Sequence, residues 1–156
     1  MSVKVSILIP TYNQAGYVRE AVWSAIQQDY PDKEIIIADD HSTDTTFEIV
    51  KEFLNGSNPV SYFRNDTNIG RVNNYRKALY EYATGDYVIM LDGDDYFCDQ
   101  GYISDAVSRL KKHPDTVLVF ARIKTLYQQD YSLIYDKVNR LKPVFDGNFL
   151  FLNFWK

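Results

Sequence analysis

The chain has a single cysteine, Cys98, so it forms no intramolecular disulfide and no cysteine-based zinc site, and it suits a reducing compartment. It also lacks excess positive charge. Its 17 Lys and Arg stand against 21 Asp and Glu, a formal net charge of -4, which leaves no basic stripe to neutralise phosphates and argues against nucleic acid as a partner. Lys111 and Lys112 make only a short surface pair. No apolar run approaches the ~18 residues of a membrane span, and Met1-Ser2 passes straight into the strand-like Val3-Lys4-Val5 with no room for a signal peptide. A soluble, cytoplasmic domain is expected, with peripheral membrane attachment left open for a longer natural protein. Neither G-x-x-x-x-G-K-[ST] nor G-x-G-x-x-G occurs, so ATPase and NAD-binding readings lose their usual support. Internal repeats and low-complexity linkers are absent too.

What is present is a chain of 156 residues, 46% hydrophobic and 15% aromatic, enough for one domain with a sizeable core. Ile7-Leu8-Ile9 reads as a central parallel strand stopped by Pro10. Over residues 14–28, Val18, Ala21, Val22, Ala25 and Ile26 recur at helical spacing. Glu34-Ile35-Ile36-Ile37-Ala38 is a second buried strand. His41-Ser42-Thr43-Asp44 then supplies N-cap chemistry for a helix marked by Phe47, Val50, Phe53 and Leu54. Val60-Ser61-Tyr62-Phe63 is a third strand. Val72, Tyr75, Leu79, Tyr82 and Ala83 form a third helical stripe, with Gly85 at a C-cap. The five apolar residues Tyr87-Val88-Ile89-Met90-Leu91 follow, expected as a strand covered on both faces.

Three strand–helix alternations before that strand predict βαβ units, right-handed crossovers and an α/β, Rossmann-like sandwich with a mainly parallel sheet. Ile103, Ala106, Val107 and Leu110 continue with a helix over 102–112, stopped at His113-Pro114. Another strand is expected over 116–121. Beyond about Lys124 the pattern weakens, and a hairpin over 127–135 is the reading it leaves. Residues 148–155 form an apolar run that packs on this domain, on a further segment or on a second copy in a homo-oligomer. A chain ending inside such a run looks cut short.

The chemistry is carried by acids at strand ends. Asp92-Gly93-Asp94-Asp95 places three carboxylates within four residues directly after an apolar strand, and Asp39-Asp40 ends another. Carboxylates this dense repel one another unless a cation or proton sits among them. The carboxyl ends of parallel strands are also where open α/β sheets bind ligands. A hard-cation site for Mg²⁺ or Mn²⁺ follows, completed by water and substrate phosphate. An EF-hand starting at Asp92 is excluded, since Phe97 and Ile103 stand where glycine and glutamate are needed. An aspartyl-nucleophile phosphatase on Asp92-Gly93-Asp94 remains the competing enzyme class.

The chain resembles the N-terminal region of family 2 glycosyltransferases, which have the GT-A fold. The resemblance rests on Val5-Ser6-Ile7-Leu8-Ile9-Pro10-Thr11-Tyr12-Asn13, on Ile37-Ala38-Asp39-Asp40-His41-Ser42-Thr43-Asp44, on Asn68-Ile69-Gly70, and on Thr84-Gly85-Asp86-Tyr87 through Asp95. It implies a GT-A α/β/α sandwich whose nucleotide and metal-binding half spans 1–95, with the acceptor side starting in 96–156. A nucleotide-sugar donor, a UDP-sugar in first place, would lie across the strand ends, touching Pro10, Thr11, Tyr12, Asp39, Asp40, Arg71, Asp92 and Gly93.

Within that set, Tyr12 offers the base a ring face and Asp39 accepts from its ring N–H. Asp92 lies toward the ribose, Asp94 is the first metal ligand with Asp95 in support, and Arg71 and Arg76 meet the diphosphate. Such enzymes generally invert at the anomeric carbon, which needs a general base for the acceptor hydroxyl, whether saccharide or other. Asp130, Asp136 and Asp146 match no family pattern, so the base is expected beyond Lys156. A nucleotide-sugar-binding module without transfer is the non-enzyme alternative.

Overall fold

A computed structural model of the chain describes residues 3–54, 56–119, 125–126 and 133–134. They belong to two compact units, Met1–Ile103 and Ser104–Lys156. In the first unit strand and helix alternate as β1 (Val5–Thr11), α1 (Val18–Ile26), β2 (Lys33–Asp39), α2 (Thr46–Lys51), β3 (Val60–Arg64), α3 (Arg71–Lys77) and β4 (Tyr87–Met90). α3 runs on into a single π turn, Ala78–Tyr82. The helix α4 (Tyr102–Lys112) starts as this unit ends. In the second unit β5 (Thr125–Leu126) pairs antiparallel with β6 (Leu133–Ile134), so a ladder brackets the segment where a hairpin is expected.

The four strands of the first unit form one all-parallel sheet in the order β3-β2-β1-β4, as the strand–helix alternation predicts. Every residue of β1 is buried, as are the last five of β2, because strands inside a parallel sheet are covered on both faces. Leu8, Ile36 and Ala38 cluster with Ala78, and Leu79, Tyr82 and Ala83 pack onto them. Side chains alternate along a strand, so Ile7, Ile9, Ile35 and Ile37 face the other way, toward α1, which touches β1, β2 and α2. Helices therefore cover both faces. α1 leads from β1 outward to β2, whereas β4 returns from β3 through α3 to the opposite side of β1. This reversal is a topological switch point, where a crevice opens beyond the strand ends.

Several expectations change in detail. Pro10 does not stop β1, which runs on to Thr11. The carbonyls of Leu8 and Pro10 accept from Leu91 and Gly93, so the missing amide of Pro10 faces the β4 side, past the last paired residue Met90, where no ladder bond is lost. α1 begins at Val18 rather than at 14. β4 is not covered on both faces: Val88 and Met90 are 37% and 40% exposed, since among the described residues β4 pairs only with β1.

Two apolar helix positions face outward instead: Phe47 on α2 and Val72 on α3 are exposed, while the polar Asn74 of α3 is buried. Gly85 is no helix cap, because the π turn ends at Tyr82 with Ala83 in the C-cap position. It sits against β1 instead, where a Cβ would come within 2.7 Å of the Ser6 amide nitrogen. Residues 116–119 form no strand. The remainder of that expected strand, and the apolar run over 148–155, lie outside the described residues.

Candidate functional site

The C-terminal ends of β1 and β2 meet through the pair Thr11 and Asp39. Asp39 is fully buried. Its Oδ1 accepts the Ser42 amide at 2.8 Å, its Oδ2 accepts the Tyr62 hydroxyl, and the Arg64 Nε stands 4.0 Å away. Burial, and then the bond to Asp39, pushes the Tyr62 phenol up. With no exposed surface, Asp39 meets a ligand only after a neighbour moves.

Asp40 points inward too. It accepts Asn65 Nδ2 at 2.9 Å and the Ile69 amide at 2.8 Å on Oδ1, and the Gly70 amide at 2.9 Å on Oδ2. It therefore fixes the loop that leads into α3, and both of its oxygens are engaged.

The loop after β1 is braced from the same side. Asn13, at φ 53, accepts the Thr43 amide on its side-chain oxygen at 2.8 Å and donates its own amide to Ser42 Oγ at 2.9 Å. His41, at φ 68, lies 3.1 Å from the Asn65 carbonyl through Nδ1. Thr11 is buried and donates to Gln14 Oε1 at 2.7 Å. Tyr12, by contrast, is 47% exposed, an open ring face at the mouth of the crevice.

Across the switch point, the Gly93 amide donates to Pro10. A Cβ on Gly93 would lie 2.3 Å from Gln14 Oε1 and 2.9 Å from Thr11 Oγ1, so only glycine lets the acidic turn approach the first loop this closely. Asp92 Oδ2 accepts Arg71 Nη2 at 2.9 Å, and Oδ1 accepts the Tyr75 hydroxyl. Desolvation, reinforced by the bond to Asp92, pushes the Tyr75 phenol up to about 12. Arg76 is not part of this arrangement. It lies over the Tyr80 ring, 5.8 Å from the centroid, because five residues along a helix carry it about 140° round the axis from Arg71.

Asp94 and Asp95 are exposed. The Asp95 carboxyl is raised by loss of surrounding water and then by the charges of Asp94 and Asp92, so a cation there would relieve repulsion. Among the described residues, no three His, Cys, Asp or Glu side chains group to hold a metal. The hard oxygens of Asp94 and Asp95 fit Mg²⁺ or Mn²⁺ held by one or two carboxylates, with water and phosphate filling the other positions.

The site thus gathers Pro10, Thr11, Tyr12, Asp39, Arg71, Asp92, Gly93, Asp94 and Asp95 at one end of the sheet. Sequence reasoning missed Tyr62, Arg64 and Tyr75, which hold the acids. The only signal for Tyr75 is its place one helical turn after Arg71.

The model of the family described as "Glycosyl transferase family 2" matches residues 6–145. An uncharacterized protein of Mycobacterium tuberculosis is 36% identical over 129 residues, covering 80% of this chain and 36% of that protein. The poly(ribitol-phosphate) β-N-acetylglucosaminyltransferase TarS of Staphylococcus aureus is 33% identical over 119 residues, covering 75% of this chain and 20% of TarS. A crystal structure of S. aureus TarS in complex with UDP-GlcNAc superposes with a TM-score of 0.66 at 32% identity, over 71% of this chain and 32% of that one. The mannosyltransferase PcManGT of Pyrobaculum calidifontis, in complex with GDP-Man and Mn²⁺, gives a TM-score of 0.67 at 26% identity, over 74% and 34% of the two chains. The chain spans about a third or less of the length of each of these proteins, and the match over residues 6–145 shows that it belongs to glycosyl transferase family 2.

Proposed function

We propose that this chain provides the donor side of a glycosyltransferase that moves a sugar, with inversion, from a nucleoside-diphosphate sugar to a hydroxyl of a saccharide or other acceptor. The observation that carries the reading is the meeting, at one switch point, of an exposed ring (Tyr12), a buried carboxylate (Asp39) and an Arg71–Asp92 pair beside two exposed acids. The complexes of TarS with UDP-GlcNAc and of PcManGT with GDP-Man and Mn²⁺ support a nucleotide-sugar donor, with UDP favoured.

In this reading Tyr12 stacks on the base. Asp39, whose oxygens each carry two lone pairs, accepts the base ring N–H once a neighbour moves, and a wrong base leaves that carboxylate poorly paired. Asp92 receives the ribose hydroxyls, and Arg71 exchanges part of its contact with Asp92 for diphosphate oxygen. A divalent cation on Asp94, supported by Asp95, would supply Lewis-acid stabilisation of the charge developing on the departing nucleoside diphosphate. The acceptor's proton must pass to a general base, and Asp130, Asp136 and Asp146 all lie outside the described residues.

Calorimetric titration with UDP, GDP and CMP, with and without Mn²⁺, tests donor binding. One nucleotide is expected to bind with clear metal dependence, and failure of all three in the presence of metal sinks the reading. Because the chain covers only part of its relatives' length, donor binding without transfer is the second reading. Sugar transfer or donor hydrolysis by the chain decides between the two.

A further inference from the structure

We propose that Tyr75 is a positioning residue of the donor site, holding Asp92 and Arg71 in register through its phenol; the inference rests on the donor-site reading above. The hydroxyl donates to Asp92 Oδ1 and accepts from Arg71 Nη2 at 3.2 Å. The Arg71 guanidinium also lies over the Tyr75 ring, 5.3 Å from its centroid. One side chain thus touches both members of the Arg71–Asp92 pair, which itself closes at 2.9 Å.

That contact matters because of where Arg71 sits. Its side chain is 75% exposed, and an exposed arginine paired with a single carboxylate gains little over its rotamer entropy. A ring beneath the guanidinium and a hydroxyl beside it narrow its freedom. They do so from one helical turn away on the same face of α3.

The helix that carries Tyr75 is anchored by several hydrogen bonds. α3 is tied to the end of β2 by Asn74, which donates to the Ala38 carbonyl at 2.8 Å and accepts from Asn65 at 3.0 Å. Asp40 holds the Ile69 and Gly70 amides just before the helix. Tyr75 therefore transmits the position of β2 to an acid at the end of β4, across the crevice. Loss of the hydroxyl alone would leave the ring and the helix in place. It would free Asp92 to rotate and Arg71 to leave.

The test is a double-mutant cycle on UDP binding with Mn²⁺, using the full chain, Y75F, D92N and the double variant. Y75F is expected to weaken UDP about tenfold with its thermal midpoint nearly unchanged. In the D92N background the same substitution is expected to weaken UDP by no more than about threefold, since a neutral amide oxygen replaces the charged acceptor. A purely structural role predicts equal weakening in both backgrounds together with a lowered midpoint, and that result overturns the proposal. So does a Y75F chain that binds UDP like the parent. The same cycle with R71Q reads the second contact and supplies the answer if D92N fails to fold. Absence of nucleotide binding by the unaltered chain would instead bring down the donor-site reading, and this inference with it.

Discussion

Asp40→Asn removes one negative charge from a buried position and tests how the acids after β2 divide their work. The carboxylate accepts three donors between 2.8 and 2.9 Å, two on Oδ1 and one on Oδ2, and is only 3% exposed. An asparagine oriented to keep the Asn65 and Ile69 bonds turns its NH₂ toward the Gly70 amide, setting donor against donor. Hydrogen bonds to a charged group are worth about 1.5–3 kcal/mol and neutral ones about 0.5–1.5 kcal/mol, so two weakened bonds and one lost bond sum to about 5 kcal/mol. The Gly70 amide retains a bond to Asn68 Oδ1 at 3.1 Å, which brings the expected loss to about 3–4 kcal/mol.

Urea unfolding followed by far-ultraviolet circular dichroism would read this as a lower midpoint at unchanged slope. Amide exchange should quicken at Ile69, Gly70 and Asn74, the junction that Asp40 and its partner Asn65 hold. UDP binding should weaken through misplacement of Arg71 and Tyr75. A loss below about 0.5 kcal/mol, the range of ordinary surface substitutions, or unchanged exchange at that junction, would refute the reasoning.

Glu34 predicts a pH dependence at the other end of the sheet. Burial raises its carboxyl, but bonds from Lys4, Ser6 and Thr84 outweigh that and hold it at about 2 instead of 4.5. Its contribution is therefore fully present above pH 4.5 and lost as pH falls through about 2. The shift corresponds to about 3 kcal/mol, which partial exposure reduces to about 1–2 kcal/mol, so Glu34→Gln should flatten the fall in stability on acidification. An unchanged acid limb of the stability profile would contradict this. Gly93→Ala should push Gln14 off Thr11 and shift the acidic turn, costing about 1–3 kcal/mol and weakening UDP binding further. Thermal melts and calorimetry check both effects, and a variant that matches the parent in each would show that the close approach at Gly93 is unimportant.

The central strands were legible because burial on both faces writes itself as unbroken apolar runs, as in Ile7-Leu8-Ile9 and Ile35-Ile36-Ile37. The acids were legible because they follow those runs directly. The split between Asp39 and Asp40 was not, since adjacent carboxylates look alike until Ser42, Tyr62, Asn65 and Gly70 fold around them. β4 looked central by composition, yet its coverage depends on neighbours that its own residues do not specify. In α3 the helical pattern favoured Val72. Tertiary hydrogen bonds to Ala38 and Asn65 turned the polar Asn74 inward instead, while Leu79, Tyr82 and Ala83 pack on the core as the helical pattern predicts. Tyr75 carried no mark except its spacing from Arg71, because its partner Asp92 stands 17 residues further along the chain.

The central claim, a donor site divided between a base-reading acid on β2 and a metal-binding acid after β4, is tested most directly by UDP calorimetry on the unaltered chain, Asp94→Asn and Asp39→Ala, each with and without Mn²⁺. The account predicts that Asp94→Asn abolishes most of the gain in affinity that Mn²⁺ brings while leaving metal-free binding nearly intact, and that Asp39→Ala weakens binding alike in both conditions. Equal, metal-independent losses in the two variants would contradict it.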